Sequence, residues 1–148
     1  MSTGSEEMSI GIVSISEQGG RITSLRIGGS DIGRRSDILD EAFLQLREYL
    51  EGKRKEFELK LELDATPFQK DVWNALMRIP YGKTVSYSEV AEMSGHPKAV
   101  RAVGNAVGRN PIPLIVPCHR VIRSDGSVGG YALGTELKTK LLRLEGAL

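Results

Sequence analysis

Cys118 and His119 are neighbours, with Pro117 before them and Arg120 after. That order of side chains suits nucleophilic chemistry. A thiol attacks as its thiolate, a free cysteine ionises at about pH 8.5, and basic groups close by lower that value. His119 and Arg120 are such groups, and a carboxylate such as Glu145 would orient the imidazole. A regular strand points adjacent side chains to opposite faces. Contact between Cys118 and His119 therefore needs an irregular backbone, for which Pro117 is a cause, or a bridging water. Each residue alone has a plainer reading. A lone cysteine is often buried filler, and a histidine is often a hydrogen-bonded structural residue.

Cys118 is the only cysteine, so no disulfide forms within the chain. With only His96 and His119 besides, an ordinary Cys/His zinc site is excluded, and no metal is expected. An unpaired thiol points to a reducing compartment, cytoplasmic or, in a eukaryote, nuclear.

The elements around these residues follow from pattern. The chain has 148 residues, 40% hydrophobic and 26% charged, as expected for one globular domain or two small ones. No stretch reaches the roughly 20 apolar residues that span a bilayer. Met1 to Ser9 is polar and acidic, unlike a signal peptide, and reads as a frayed end. Residues 9–16 and 21–27 alternate around Gln18-Gly19-Gly20, which predicts a β-hairpin, and Gly28-Gly29-Ser30 breaks it. Helical spacing covers residues 38–50, and Gly52 ends that helix. Phe57, Leu59, Leu61 and Leu63 alternate with charges and predict a further strand.

Thr66-Pro67-Phe68-Gln69 carries a capping box with proline in the first turn, and Phe68, Val72, Trp73, Leu76 and Ile79 form the buried stripe. Ser86 and Glu89 form a second capping box, with a helix ending near Gly95. Pro97 opens a third helix, so the pair reads as a helix-turn-helix. On that helix Val100, Val103 and Val107 should face inward, leaving Arg101, Ala102, Asn105, Ala106 and Arg109 outward. Small residues between arginines suit close approach to a DNA groove, a reading the pattern favours over a solvated Ala-rich face. Asp125-Gly126 is a hairpin-type turn, Gly129-Gly130-Tyr131 a flexible loop. Leu137, Leu141 and Leu144 mark a last helix that ends at Glu145.

Charge divides the same way. Residues 1–66 carry nine Lys/Arg against thirteen Asp/Glu, a net −4, while residues 67–148 carry eleven against six, a net +5. No acid occurs between Glu92 and Asp125, where Lys98, Arg101, Arg109, Arg120 and Arg123 lie. A basic stretch on a nearly neutral chain fits an anionic partner such as nucleic acid.

Pro117-Cys118-His119-Arg120-Val121-Ile122 resembles the active-site motif of the O6-alkylguanine-DNA alkyltransferases. Further segments resemble that family in order and spacing: Thr66 to Gln69 with Val72-Trp73, Ile79 to Lys83, Ser86-Tyr87, Pro97 to Gly104, Arg109-Asn110-Pro111 and Gly129-Gly130-Tyr131. The resemblance is strong over about residues 64–147, while the first 60 or so match the variable amino-terminal domain in outline only.

The resemblance implies that Cys118 accepts an alkyl group from guanine O6, and from thymine O4, in double-stranded DNA. It implies that His119 deprotonates Cys118 through a water, that Glu145 holds His119, and that Asn110 braces the turn before the active-site strand. Arg101 would enter the base stack where the damaged nucleotide is extruded. Tyr87 would press on the flanking phosphate and protonate guanine N3. Lys98, Ala102, Asn105 and Arg109 would face DNA on a helix in the minor groove. Tyr131, Pro113, Val121, Val107 and Ala132 would wall the alkyl pocket, Ala132 through its backbone N–H. Ala132 stands where relatives often carry serine. Leu133 replaces a common small residue, which should narrow the pocket against bulky adducts such as benzyl. Some relatives hold a structural zinc in the amino-terminal domain, for which this chain lacks the ligands.

Three rivals predict different behaviour. A non-catalytic alkylated-DNA-binding protein would lack the acceptor cysteine. A winged-helix DNA-binding module explains the helix-turn-helix but not Cys118-His119. A cysteine hydrolase would turn over repeatedly without DNA. The expected architecture is α+β: residues 1–64 form a small antiparallel sheet with a helix, and residues 65–148 form a helical, winged-helix-like catalytic domain. The expected protein is a monomer that uses no cofactor, contacts no membrane and turns over once.

Overall fold

The computed structural model describes residues 2–29 and 35–148, so Ser30 of the predicted break lies outside the described residues. The fold is α+β, with two compact units, Met1–Asp64 and Ala65–Leu148.

The first unit is a three-stranded antiparallel sheet in the order β1 (Ser2–Met8), β2 (Gly11–Gln18), β3 (Arg21–Ile27). Gly19 and Gly20, at φ 60° and 80°, close the β2–β3 turn in a conformation that glycine adopts without steric cost. Helix α1 (Asp37–Leu50) is capped by Ser36, and Asp37 and Asp40 sit favourably in its positive first turn. Its buried Leu39, Ala42, Phe43, Leu46 and Tyr49 belong to a core shared with Val13, Ile15, Ile22 and Leu25.

Two expectations for this unit are corrected. Residues 2–8 are a full strand, not a frayed end. Their backbone pairs with β2 from Ser2↔Glu17 to Met8↔Gly11, and cross-strand hydroxyl pairs (Thr3 with Ser16, 2.8 Å; Ser5 with Ser14, 2.7 Å) accompany that ladder. Residues 57–63 form no extended strand. They keep the predicted alternation of burial, but their backbone pairs with β3 at a single bridge, between Ile22 and Leu61. The Gln45 side chain accepts from Glu58 N (2.8 Å) and donates to Glu58 O (3.3 Å), so backbone groups that a ladder would use are bound to a helix side chain.

The second unit is mainly helical. Both capping boxes form: Thr66 with Gln69 starts α2 (Pro67–Met77), and Ser86 with Glu89 starts α3 (Tyr87–Met93). The third helix begins later than predicted. Pro97 and Lys98 lie in a turn, and α4 runs Val100–Gly108 from an Ala99 N-cap. The faces of α4 also shift. Val103 and Val107 are buried as predicted, but Val100 is only half-buried and Ala106 points inward. Ala106 is held there by the Trp73 indole, which donates to its carbonyl at 2.8 Å. Strand β4 (Val85–Ser86) pairs in parallel with β5 (Val121–Ile122). The turn at Asp125-Gly126 forms, with Gly126 N donating to Arg123 O at 2.9 Å, but no antiparallel strand pair flanks it. Helix α5 (Thr135–Leu144) ends on Glu145 as its C-cap. No helix among the described residues is long and apolar enough to cross a membrane.

Candidate active site

Residues 112–120 are all buried, and their path is irregular. Asn110 organises it. Its amide donates to Val116 O (2.8 Å) while its carbonyl oxygen accepts from Ile112 N (2.9 Å), and Val116 N donates to Ile112 O (2.9 Å). The knot forces Leu114 to φ 74°, the one positive value at a non-glycine residue among those described. A leucine there costs about 1–2 kcal/mol, which the bonds around it offset. Pro117 then leads into a 3-10 turn over Cys118–Arg120. The predicted active-site strand is therefore a turn, the irregular backbone that the Cys118-His119 adjacency required.

Cys118 lies on a cavity of about 220 Å³. Its walls are Tyr87 at the start of α3, Gly104, Val107 and Gly108 on α4, Asn110 and Pro113 of the knot, and the loop residues Gly130, Tyr131 and Ala132. The cavity thus brings together Cys118, Tyr87, Asn110 and four of the five predicted pocket residues. The fifth, Val121, is not among them; it is fully buried in β5, where parallel pairing with Val85 holds it away. Leu133 is also absent from the lining, which removes the structural basis for a pocket narrowed at that position. Gly129, at φ 78°, lets the loop pass close: a Cβ there would meet Arg123 Cγ at 3.4 Å, Lys138 Nζ at 3.6 Å and the Tyr87 hydroxyl at 3.7 Å. Arg101, Ala102, Asn105, Arg109 and Lys98 are exposed.

The ionisable groups form two sets. His119 Nε2 meets Glu145 Oε2 at 2.7 Å, both fully buried. Facing a carboxylate, Nε2 carries the proton, which leaves Nδ1 as the basic nitrogen. Burial pulls the imidazole pKa down; Glu145 opposes this, and the charges of Arg120 and Lys138 add to it. Arg120 was expected near the thiol. It turns instead to Glu145, through Nε to Oε1 (2.8 Å) and Nη2 to Oε2 (3.1 Å), while Nη1 donates to Ile79 O (2.6 Å).

The second set surrounds Cys118. Burial raises the thiol pKa, against which hydrogen bonding from Asn110 and the charge of Lys138 act. Lys138 is fully buried, and its Nζ donates to Gly130 O at 3.0 Å. Burial lowers its pKa from the ordinary 10.5 to about 8, with the Cys118 charge opposing and Arg123 assisting. The Tyr131 hydroxyl is buried with no hydrogen-bond partner, and its ring meets the His119 imidazole edge-on at 6.4 Å. Burial also raises the Tyr87 and Tyr131 phenols, so both are protonated at neutral pH.

Reasoning from the sequence missed Lys138 and misplaced Arg120. A signal for Lys138 existed. Lys138, Leu141, Leu142 and Glu145 stand at i, i+3, i+4 and i+7, one helical face, and all four are buried. A lysine on that stripe costs stability while charged. Its folded pKa is lowered, so the cost is fully present below about pH 8 and disappears as pH rises from there to 10.5. Lys138→Met should therefore raise the melting temperature at pH 7, by up to about 3 kcal/mol of stability, and the gain should shrink above pH 8. A melt at pH 7 lower than wild type would refute the charge cost.

Residues 67–147 match the family described as 6-O-methylguanine DNA methyltransferase, DNA binding domain, and residues 7–63 match its ribonuclease-like domain. The chain is 55% identical over 111 residues to a methylated-DNA–protein-cysteine methyltransferase of Methanosarcina acetivorans, across 75% of this chain and 71% of that protein. It is 44% identical over 151 residues to the constitutive methylated-DNA–protein-cysteine methyltransferase of Bacillus subtilis, across 94% and 92%. A crystal structure of Mycobacterium tuberculosis OGT in complex with DNA is similar at TM-score 0.88 and 40% identity, across 98% of this chain and 92% of that one.

Proposed function

Because the chain belongs to the 6-O-methylguanine DNA methyltransferase family, we propose that it repairs DNA by moving an alkyl group from guanine O6, and from thymine O4, to its own Cys118. The observation that carries this reading is the cavity: the chain's only cysteine lies on a space bounded by α3, α4 and a glycine-rich loop.

The thiol is protonated at rest, because burial raises its pKa. His119 Nδ1, through a water, takes that proton, and Glu145 stabilises the resulting imidazolium. The thiolate attacks the alkyl carbon, the C–S bond forms as the C–O6 bond breaks, and the electron pair leaves with guanine. Tyr87, protonated at neutral pH, gives its proton to N3 of the departing base. The thioether offers water no leaving group under mild conditions. One chain therefore acts once, as its own co-substrate and without a cofactor. Asn110 serves by holding the knot that presents Cys118, while Pro113, Val107, Tyr131 and Ala132 enclose the alkyl group.

O6 lies inside the duplex, so the nucleotide must be extruded at a cost of a few kcal/mol. Arg101 fills the gap, Ala102 and Asn105 contact the backbone from an α4 seated in the minor groove, and Lys98 and Arg109 do so from just beyond its two ends. If Arg101 offsets about 1–3 kcal/mol of extrusion, Arg101→Ala slows duplex repair about 5- to 150-fold. Reaction with the free alkylated base should be unchanged, and equal losses would remove the role. The whole reading is tested by intact mass after incubation with excess duplex carrying O6-methylguanine. The expected result is a gain of one methyl on the Cys118 peptide, stopping at one equivalent; an unchanged mass rejects alkyl transfer.

A further inference from the structure

A buried imidazole beside a buried carboxylate normally gains a proton easily, because the anion favours the imidazolium. Such a histidine is a poor base near neutral pH. His119 and Glu145 stand in that relation, 2.7 Å apart and both fully buried. Burial of the imidazole opposes this, and a third group whose place in the fold is specific adds to the opposition.

Arg120 has its side chain only 9% exposed. It uses Nε and Nη2 to grip both oxygens of Glu145, at 2.8 and 3.1 Å, and spends Nη1 on the Ile79 carbonyl at the end of the α2 region. Its planar fork is thus committed to one carboxylate, in the bidentate geometry that matches guanidinium to carboxylate. None of its contacts faces Cys118 or the cavity lining. With Arg120 charged and Glu145 ionised, the buried set is neutral only while His119 is neutral. Protonating His119 would leave one uncompensated positive charge in a water-poor interior, which is costly.

We propose that Arg120 is a positioning residue for the transfer: its two-pronged grip on Glu145 neutralises the carboxylate, and this helps to hold His119 as a neutral base. The inference rests on the function proposed above for the use made of that base, though not for the electrostatics. Other groups face His119 as well. Glu145 closes α5, Lys138 projects from the same helix, Cys118 shares the 3-10 turn, and the Tyr131 ring stands edge-on from the loop. Lys138 acts in the same direction as Arg120, but its ammonium is bound to the Gly130 carbonyl and not to Glu145. Burial is the largest influence holding His119 neutral, and Arg120 is the cation that adds to it through direct contact with Glu145. Once His119 has taken the thiol proton, the same arrangement makes the imidazolium short-lived and ready to give the proton up.

The chain suits a direct test, because His96 and His119 are its only histidines. Imidazole nitrogen NMR of the full chain, without DNA, follows both titrations. In the wild type His119 should stay neutral to below the ordinary histidine range. In Arg120→Gln its midpoint should rise by about one pH unit or more, the effect expected of a charge removed from a few ångströms away. Arg120→Lys, which keeps the charge without the fork, should fall between. The acidic limb of the alkyl-transfer rate should move up with the midpoint in each variant. An unchanged His119 midpoint in Arg120→Gln, with or without a lower melting temperature, reduces Arg120 to a structural brace and overturns the proposal. Should Arg120→Gln not fold, Arg120→Lys decides: a midpoint at the wild-type position with a lowered melting temperature overturns it equally. The titration needs no substrate, so a wild-type chain that takes up no methyl group would reject the reaction while a shifted midpoint still supported the pairing.

Discussion

Cys118→Ser protein should bind a duplex carrying O6-methylguanine and take up no methyl group at all. The exchange leaves the cavity nearly its original size and replaces a thiol of raised pKa with a hydroxyl that does not ionise in any working range. Asn110 still holds the knot, and the surfaces of α3 and α4 are untouched, so binding should survive within a few-fold. The expected mass change falls from one methyl per chain to none, the largest effect on activity of any substitution considered. A methyl group recovered on the serine variant, at residue 118 or elsewhere, would falsify Cys118 as the acceptor.

Glu145→Ala should produce the largest loss of stability. The carboxylate holds His119 through one oxygen and Arg120 through both, and accepts from Gly82 N at 3.3 Å. Alanine leaves a buried guanidinium unpaired, and removing one partner of such a pair costs about 3–5 kcal/mol. Denaturant unfolding measures this, together with the loss of alkyl transfer that should accompany a freed His119. Glu145→Gln, which keeps a hydrogen-bonding oxygen for His119 but no charge, should cost less. A Glu145→Ala cost under about 1 kcal/mol would show that the interior is wetter than its burial implies.

Features written in local grammar were legible in the sequence. Both capping boxes are four-residue patterns whose partners are close neighbours, and both form, at Thr66 and at Ser86. The Gln18-Gly19-Gly20 turn and the long helix before Gly52 are of the same kind. Strand β1 was not legible, because nothing in Ser-Thr-Gly-Ser-Glu-Glu alternates in hydropathy; its backbone partners in β2 lie up to 15 residues away along the chain, and its hydroxyl pairs 9 and 13. Residues 57–63 misled for the opposite reason. Their alternation is genuine, but whether a half-buried segment becomes a strand depends on who takes its backbone groups, and Gln45 intervenes. At the site, the motifs singled out Cys118, Asn110 and Tyr131, and all three line one cavity. Adjacency in sequence was a poor guide to electrostatics. Arg120 follows Cys118 by two positions yet serves Glu145, while Lys138, twenty positions away, is the cation near the thiol. A 3-10 turn rotates successive side chains by about 120°, so neighbours there separate and distant residues converge.

The indole bond to α4 has a further use. Trp73 is the chain's only tryptophan, it is buried, and its N–H is committed to the carbonyl of Ala106 on the helix proposed to meet DNA. Emission excited at the red edge of the absorption band, where the four tyrosines hardly absorb, therefore comes from a single indole whose polar end is tethered to that helix. Any displacement of α4, by a lesion pressed into the cavity or by a methyl group newly fixed on the sulfur, alters the tether and with it the colour and intensity of the emitted light. The molecule carries its own optical gauge, and a stopped-flow trace could separate the arrival of DNA from the chemistry that follows without attaching a dye to either partner.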